Sequence, residues 1–187
     1  MNIAIAIVFL ASLMLAVCVL YLGAVRSGYS QLRDTINELG ESGAPNSKLV
    51  AYGVFLPFGL AMLVVAWLSY PENLDASRVA ACLAVGYIGA AVFPCDPGSP
   101  LSGSWRQSLH NIAGTIHYFG GGVVLWQLRS VAPLFDISSL VVLVAAGLLS
   151  SSSVSAVRGG IQRVAEVALL GCLWAILILQ EPSNSQF

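Results

Sequence analysis

Six apolar stretches divide this chain, and they restrict its possible folds more than any other feature. A helix needs about 20 mostly apolar residues to cross the hydrocarbon core of a bilayer. The stretches lie at residues 3–25, 49–68, 79–93, 109–128, 134–149 and 164–179, and the third and fifth are short for a membrane span. The sequence therefore predicts an all-α, polytopic bundle of six transmembrane helices.

The amino-acid composition excludes an ordinary soluble domain. Of the 187 residues, 57% are hydrophobic and only 9% are charged, and the mean hydropathy is +0.83. Soluble domains carry about 25% charged residues. The length allows one compact unit, so residues 1–187 are predicted to form a single transmembrane domain. The net charge is −1 and the few basic residues are scattered, which argues against a nucleic-acid partner.

The distribution of basic residues predicts the orientation in the membrane. Six spans place both termini on one side and loops one, three and five on the other. The opposite side holds only Arg78 and Arg129. Loops one, three and five hold Arg26, Arg33, Lys48, Arg106, Arg158 and Arg163. Because basic residues favour the cytoplasmic side, we expect a multi-pass protein of the cell membrane with these three loops in the cytoplasm.

The first loop contains a short amphipathic pattern. Leu32, Ile36 and Leu39 recur at i, i+4 and i+7, which would form an apolar stripe on a helix. Gly40 follows the stripe and is a common helix stop. The pattern predicts a short amphipathic helix lying at the membrane surface.

The only two histidines, His110 and His117, both lie in the fourth apolar stretch. Seven residues are close to two helical turns, so the two imidazoles share a face and lie roughly 10.5 Å apart along the axis. Gly114 and Gly121 lie on the same face, where small residues allow a neighbouring helix to approach closely. Ionisable side chains inside a bilayer are costly and are functional candidates by default.

Several polar residues are expected to lie near these histidines, at the end of the bundle that carries loops one, three and five. The candidate catalytic residues are His110, Asp96, His117, Asp34 and Glu38. One histidine could act as a general base oriented by a carboxylate, as a proton relay, or only as a hydrogen-bonded packing residue. A divalent metal such as zinc is a further alternative, with His110 and Asp96 as ligands. The cofactor is otherwise not predicted.

Arginine side chains at the same end suggest a second kind of site. Arg33, Arg106 and Arg163, together with Ser104, are the candidate substrate-binding residues, and Arg158 is expected to converge with the arginines. Arginine suits a lipid phosphate because its guanidinium forms bidentate hydrogen bonds. The alternative is a simple interfacial anchor, in which Arg163 pairs with Glu166 three residues later.

These residues also form a recognisable pattern over nearly the whole chain. The pattern comprises YSQLRDTINELG at 29–40, FPCD at 93–96, the serine-to-histidine stretch that ends at His110, His117, and GIQR at 160–163. The chain resembles the domain-of-unknown-function 998 family of six-span membrane proteins. Gln162 stands where the resemblance would lead us to expect an acid, while Arg163 is in place.

That family is distantly similar to the Frag1/DRAM/Sfk1 group of eukaryotic membrane proteins. Members of the group are linked to lipid remodelling, lipid asymmetry and autophagy, so the resemblance implies a lipid-related role. The group is usually drawn with a cytoplasmic N-terminus, opposite to the orientation that the charge distribution predicts.

Three functional hypotheses follow, and they leave open whether the protein is an enzyme. The first is a lipid-handling protein that binds, remodels or hydrolyses a membrane lipid at headgroup level. The second is a proton-coupled transporter of a small solute, with His117 as a relay. The third is a non-catalytic membrane scaffold or sensor. The oligomeric state is not predicted.

Overall fold

The computed structural model describes residues 3–179, and every regular element within that range is a helix. The long helices are α1 (Ile3–Val25), α2 (Ser47–Ser69), α3 (Leu74–Val92), α4 (105–127), α5 (Pro133–Leu149) and α6 (Arg158–Leu179). Short 3₁₀ helices lie at Ile36–Gly40 and Ser152–Val157. The all-α prediction is confirmed.

Four helical stretches are long and apolar enough to cross a membrane: Ile3–Val25, Ser47–Ser69, Leu74–Val92 and Ser152–Leu179. Helix α5 is also apolar but has only 17 residues. Helix α4 is polar at its start, where Arg106, Gln107 and Ser108 precede the histidines. The chain is therefore an all-helical integral membrane protein.

Helix α3 lies at the centre of the bundle, in contact with α2, α4 and α6. Two glycines let α4 approach it closely. A Cβ at Gly86 would overlap the ring of His117, and a Cβ at Gly89 would overlap the side chain of Ala113. Of the two glycines predicted to bury the histidine face of α4, Gly121 packs against Leu169, whereas a Cβ on Gly114 would meet nothing within 4 Å. The close approach to α3 depends instead on small residues of the facing helix.

The predicted amphipathic surface helix in the first loop is wrong in form. Residues 31–33 make turns, and only Ile36–Gly40 is helical, as a 3₁₀ helix. Ile36 and Leu39 are buried in the main core, while Leu32 is 57% exposed. Ile36 and Leu39, which we expected at the membrane surface, pack instead against the helix bundle. Burial among other side chains removes the same apolar area from water.

Loops one and three bond to each other at one end of the bundle, and loop one also bonds to the start of α6, which follows loop five. We call residues 26–46, 93–104 and 150–157 the loop layer. The backbone N–H of Ser42 donates to the Cys95 carbonyl at 2.8 Å, which joins loops one and three. At the start of α6, the N–H groups of Gly159 and Gly160 donate to loop-one carbonyls at 3.1 and 2.8 Å.

Candidate functional site

A cavity of about 530 Å³ lies between α4 and α5, next to the loop layer. The two helices pack together along Gly121–Gln127 and diverge toward Trp105–Thr115, and this divergence creates the space. Its rim includes Phe119 and Gly147, which are exposed on the outer surface of the bundle. The cavity thus opens sideways, between two helices, onto a surface that a membrane would cover.

The lining changes character from one end of the cavity to the other. At the loop layer it is mostly polar, with Asn37, Ser99, His110, Asn111, Arg158 and Gln162 beside Leu101. Further from the loops it is apolar, with Phe119, Leu143 and Ala146. Ligand cavities commonly have volumes of roughly 300–1,000 Å³ and combine an apolar wall with a few polar groups, so this cavity has the properties of a binding site.

His110 is buried and lines the polar end of the cavity. Its Nδ1 lies 2.9 Å from the carbonyl oxygen of Phe93, at the end of α3. Because a carbonyl oxygen can only accept, Nδ1 must carry the proton in the neutral ring, which leaves Nε2 as an acceptor. The structure therefore holds His110 in one tautomer, with a basic nitrogen left free for a bound molecule.

A second polar cluster lies deeper, in a chamber of about 10 Å³ that has room for about one water molecule. The Tyr118 hydroxyl donates to Glu166 Oε1 at 2.6 Å, and His117 Nε2 lies 3.5 Å from the same oxygen. Tyr87 lies across from them on α3, with its ring 5.5 Å from that of His117. All four side chains are at least nine-tenths buried. We call them the deep cluster.

The deep cluster leaves polar atoms without partners. Within residues 3–179, Tyr87 OH, His117 Nε2 and Glu166 Oε2 are buried and have no hydrogen bond. A buried polar atom without a partner costs about 1–3 kcal/mol, so such atoms need an explanation in a native structure. The chamber around the deep cluster and the larger cavity share Asn37, His110, Gly114 and Tyr118 as lining residues, so the two spaces adjoin.

A local distortion of α4 builds this cluster. Residues Ile116–Gly120 form a π-helical turn between two α-helical segments. In a regular α-helix, consecutive side chains point about 100° apart. Here the neighbours His117 and Tyr118 are both buried and their rings stack, with centroids 4.3 Å apart. Such turns are frequent at functional sites.

The family model described as "Protein of unknown function (DUF998)" matches residues 9–180, nearly the whole chain. The chain belongs to the DUF998 family. No curated protein and no solved structure matches this DUF998 protein.

In the DUF998 protein, Asp96 and Ser104 bond to each other. Ser104 donates from its backbone N–H and its hydroxyl to the two oxygens of Asp96, at 2.7 and 2.8 Å. Ser104 also caps α4 by accepting from Gln107 N. The two bonds from Ser104 lower the pKa of Asp96 below its usual range. The structure therefore shows this pair at the start of α4, in a capping arrangement.

The acids predicted from loop one also have partners inside that loop. Asp34 pairs with Arg33 at 2.7 Å, and this hydrogen bond is the main reason that the pKa of Asp34 is lowered. Glu38 accepts from both the N–H and the hydroxyl of Thr35, at 2.9 and 2.8 Å. This is a capping box that closes the 3₁₀ helix.

The predicted arginines do not converge on one site. Arg163 holds loop one, bonding to Gln31, to Tyr29 OH at 2.7 Å and to the Asp34 carbonyl at 3.0 Å. Arg33 forms an ion pair with Asp34, and Arg106 is exposed. Of the four arginines that we expected to meet, only Arg158 lines the cavity.

The two proposed metal ligands do not form a site together: His110 keeps Nε2 free, whereas both oxygens of Asp96 already accept from Ser104. His110 Nδ1 bonds to the Phe93 carbonyl, while Asp96 bonds to Ser104. Between residues 3 and 179, no group of three or more His, Cys, Asp or Glu side chains is arranged to hold a metal ion. The residues that the sequence suggested for zinc do not form a fitting ligand set.

Glu166 and Tyr118 are the residues that sequence reasoning missed. The expected ion pair between Glu166 and Arg163 is wrong, because Glu166 points inward to Tyr118 and Arg163 points to loop one. One signal was available: an acid inside an apolar stretch is as unusual as the histidines were. Tyr118 carried no such signal, because only the π-helical turn brings it to the same side as His117.

Proposed function

We propose that this DUF998 protein is a six-span membrane protein that binds a membrane lipid in the cavity between α4 and α5. The observation that carries the proposal is the cavity itself, which is polar at the loop layer and apolar beyond it. A lipid has the same two parts, and a sideways opening between helices would let its acyl chain remain in the bilayer. His110 Nε2 and Asn37 are the groups that would contact the headgroup.

Filling the cavity tests this proposal. Gly114 lines the cavity, and a Cβ built on it meets nothing within 4 Å. Gly171 on α6 is equally open but lies outside the cavity, so it is a matched control. We expect Gly114→Leu to lower the amount of co-purified lipid at least about tenfold, measured by mass spectrometry, and Gly171→Leu to leave it unchanged.

Two results would count against lipid binding. The first is wild-type protein that carries no bound lipid beyond detergent-exchangeable molecules. The second is an equal loss of lipid in Gly114→Leu and Gly171→Leu, which would indicate lipid held on the outer surface rather than in the cavity.

One observation favours a second function, proton-coupled transport of a small solute. His117 and Glu166 form a buried pair of ionisable groups beside the cavity, and such groups inside a membrane mark ion pathways. In proteoliposomes, Glu166→Gln would then abolish solute uptake driven by a pH gradient, whereas Glu72→Gln, at an exposed site, would retain it. Uptake that persists in Glu166→Gln would refute this mechanism.

We further propose that the loop layer faces the cytoplasm, as the arginine distribution predicts. Ser27 in the loop layer and Glu72 at the opposite end are both exposed. On intact cells, a membrane-impermeant maleimide should label Glu72→Cys, and it should label Ser27→Cys only after permeabilisation. The reverse pattern would place the loop layer outside.

A further inference from the structure

The cavity carries one fixed charge. Arg158, the first residue of α6, lines its polar end, and none of the lining residues in the described part of the chain is an acid. Arg158 is partly buried. A partly buried arginine with no acid beside it is suited to pair with a carboxylate or another anion, because a charge without a counter-charge is costly where water is scarce.

The acids of the loop layer cannot supply that partner, because each is already engaged. Glu41 pairs with Arg26 at 2.5 Å and also accepts from Gly98 N at 2.7 Å. Asp34, Glu38 and Asp96 have the partners described above. Over residues 3–179, Arg158 forms no ion pair within 4.0 Å.

Arg158 therefore has bonding capacity left for a ligand. Within residues 3–179, its side chain forms one hydrogen bond, from Nη1 to the Gly98 carbonyl at 3.2 Å. Its Nε is buried and finds no acceptor in the described part of the chain. Asn37, which lines the same end of the cavity, has a side-chain amide without a protein partner in residues 3–179.

We propose that the ligand of the cavity is an amphiphile with an anionic headgroup, a phosphate or a carboxylate, and that Arg158 pairs with this anion. The inference rests on the proposed lipid-binding function and adds the charge of the lipid. A guanidinium suits both anions, because its N–H groups match two oxygens at once. The apolar half of the cavity, at Phe119 and Leu143, would take the start of the hydrocarbon chain.

Binding of matched single-chain lipids to the purified full-length protein tests the inference. The probes are lysophosphatidylglycerol and lysophosphatidylcholine with the same tail, oleate as a carboxylate, and inorganic phosphate as a competitor without a tail. We expect the wild type to bind lysophosphatidylglycerol about tenfold or more tightly than lysophosphatidylcholine. Arg158→Gln should lose this preference while keeping weak binding of both lipids.

Two further variants make the experiment specific. Lys48→Gln removes a positive charge from the same end of the bundle at an exposed site outside the cavity, and it should keep the wild-type preference. Arg158→Lys keeps the charge but loses the fork of donors, so its preference should fall between those of wild type and Arg158→Gln. Arg158→Lys also serves as the test if Arg158→Gln does not fold.

The results separate this inference from the proposal on which it rests. Wild-type protein that binds both lysolipids equally, or an Arg158→Gln variant that keeps the preference, would overturn the anionic ligand while lipid binding stands. Inorganic phosphate that competes as strongly as lysophosphatidylglycerol would show an anion site that does not require an amphiphile, which also overturns it. Wild-type protein that binds none of the lipids would refute the lipid-binding function itself.

Discussion

The loop layer and the deep cluster both bring acids together with basic or polar groups, but the acids differ in how many hydrogen bonds they accept. In the loop layer, Asp34, Glu38, Glu41 and Asp96 each accept at least two hydrogen bonds from nearby groups. In the deep cluster, Glu166 accepts one hydrogen bond, and one of its oxygens has no partner in the described residues.

The difference indicates two kinds of role. A region whose acids are satisfied by its own residues has what it needs to hold a shape. A buried region with unpartnered atoms carries a cost that is reasonable where something else binds or where a proton moves. We therefore interpret the loop layer as the structural cap of the bundle, and the cavity with the deep cluster as its functional part.

The largest effect is expected from a substitution that releases loop one from α6. Arg163→Gln removes the bonds to Tyr29, Gln31 and Asp34 that tie loop one to α6, and one bond to Gly159 within α6. We expect the free energy of unfolding to fall by about 3–5 kcal/mol, measured by denaturant unfolding in detergent. The exposed Lys48→Gln should change it by less than about 0.5 kcal/mol. Equal changes in the free energy of unfolding of the two variants would show that the bonds of Arg163 do not stabilise the loop layer.

The next effect tests how tightly α3 and α4 meet at the deep cluster. In Gly86→Ala, the new methyl group overlaps the His117 ring, so we expect a loss of about 2–3 kcal/mol of unfolding free energy. Gly114→Ala places the same methyl group in open space, and it should be neutral or stabilising by up to about 1 kcal/mol. Thermal unfolding of both variants would show the difference. A tolerated Gly86→Ala would mean that the ring moves freely.

A smaller effect measures the bond inside the deep cluster. In a double-mutant cycle of Tyr118→Phe with Glu166→Gln, we expect a coupling energy of about 1 kcal/mol, because the two side chains share one hydrogen bond. A cycle of Glu166→Gln with Asp96→Asn, whose side chains share no contact, should give less than about 0.5 kcal/mol. Equal coupling energies in the two cycles would show that the hydrogen bond between Tyr118 and Glu166 adds no specific stability.

The smallest effect concerns acid sensitivity of the loop layer. The pKa values of Asp34 and Asp96 are both lowered by hydrogen bonds to their charged forms. Their contribution to stability is therefore complete above the ordinary range near about pH 4 and is lost as the pH falls through the lowered value. We expect the melting temperature to fall between about pH 5 and pH 3, and to fall less in Asp96→Asn. An unchanged slope in that variant would show that Asp96 does not contribute.

Much of the fold could be predicted, while the site was predicted only in part. Apolar runs indicate the helices because the length and apolar character that a membrane span needs can be read from each run by itself. The histidines were also found from sequence, because ionisable residues inside apolar segments are conspicuous. The short helix in loop one was misjudged, because an apolar stripe does not show whether Ile36 will meet lipid or protein.

By itself, the sequence determined that the chain is helical, that it belongs in a membrane, and that His110 and His117 lie on one buried face. The tertiary structure decided which groups meet. It paired Glu166 with Tyr118, 48 residues away, and it left Arg158 as the one fixed charge that residues 3–179 place in the cavity. The physical reason is that the apolar character of each segment acts locally and can be read from the sequence. Which side chains contact each other depends instead on how the helices cross and on a π-helical turn that no residue spacing predicts.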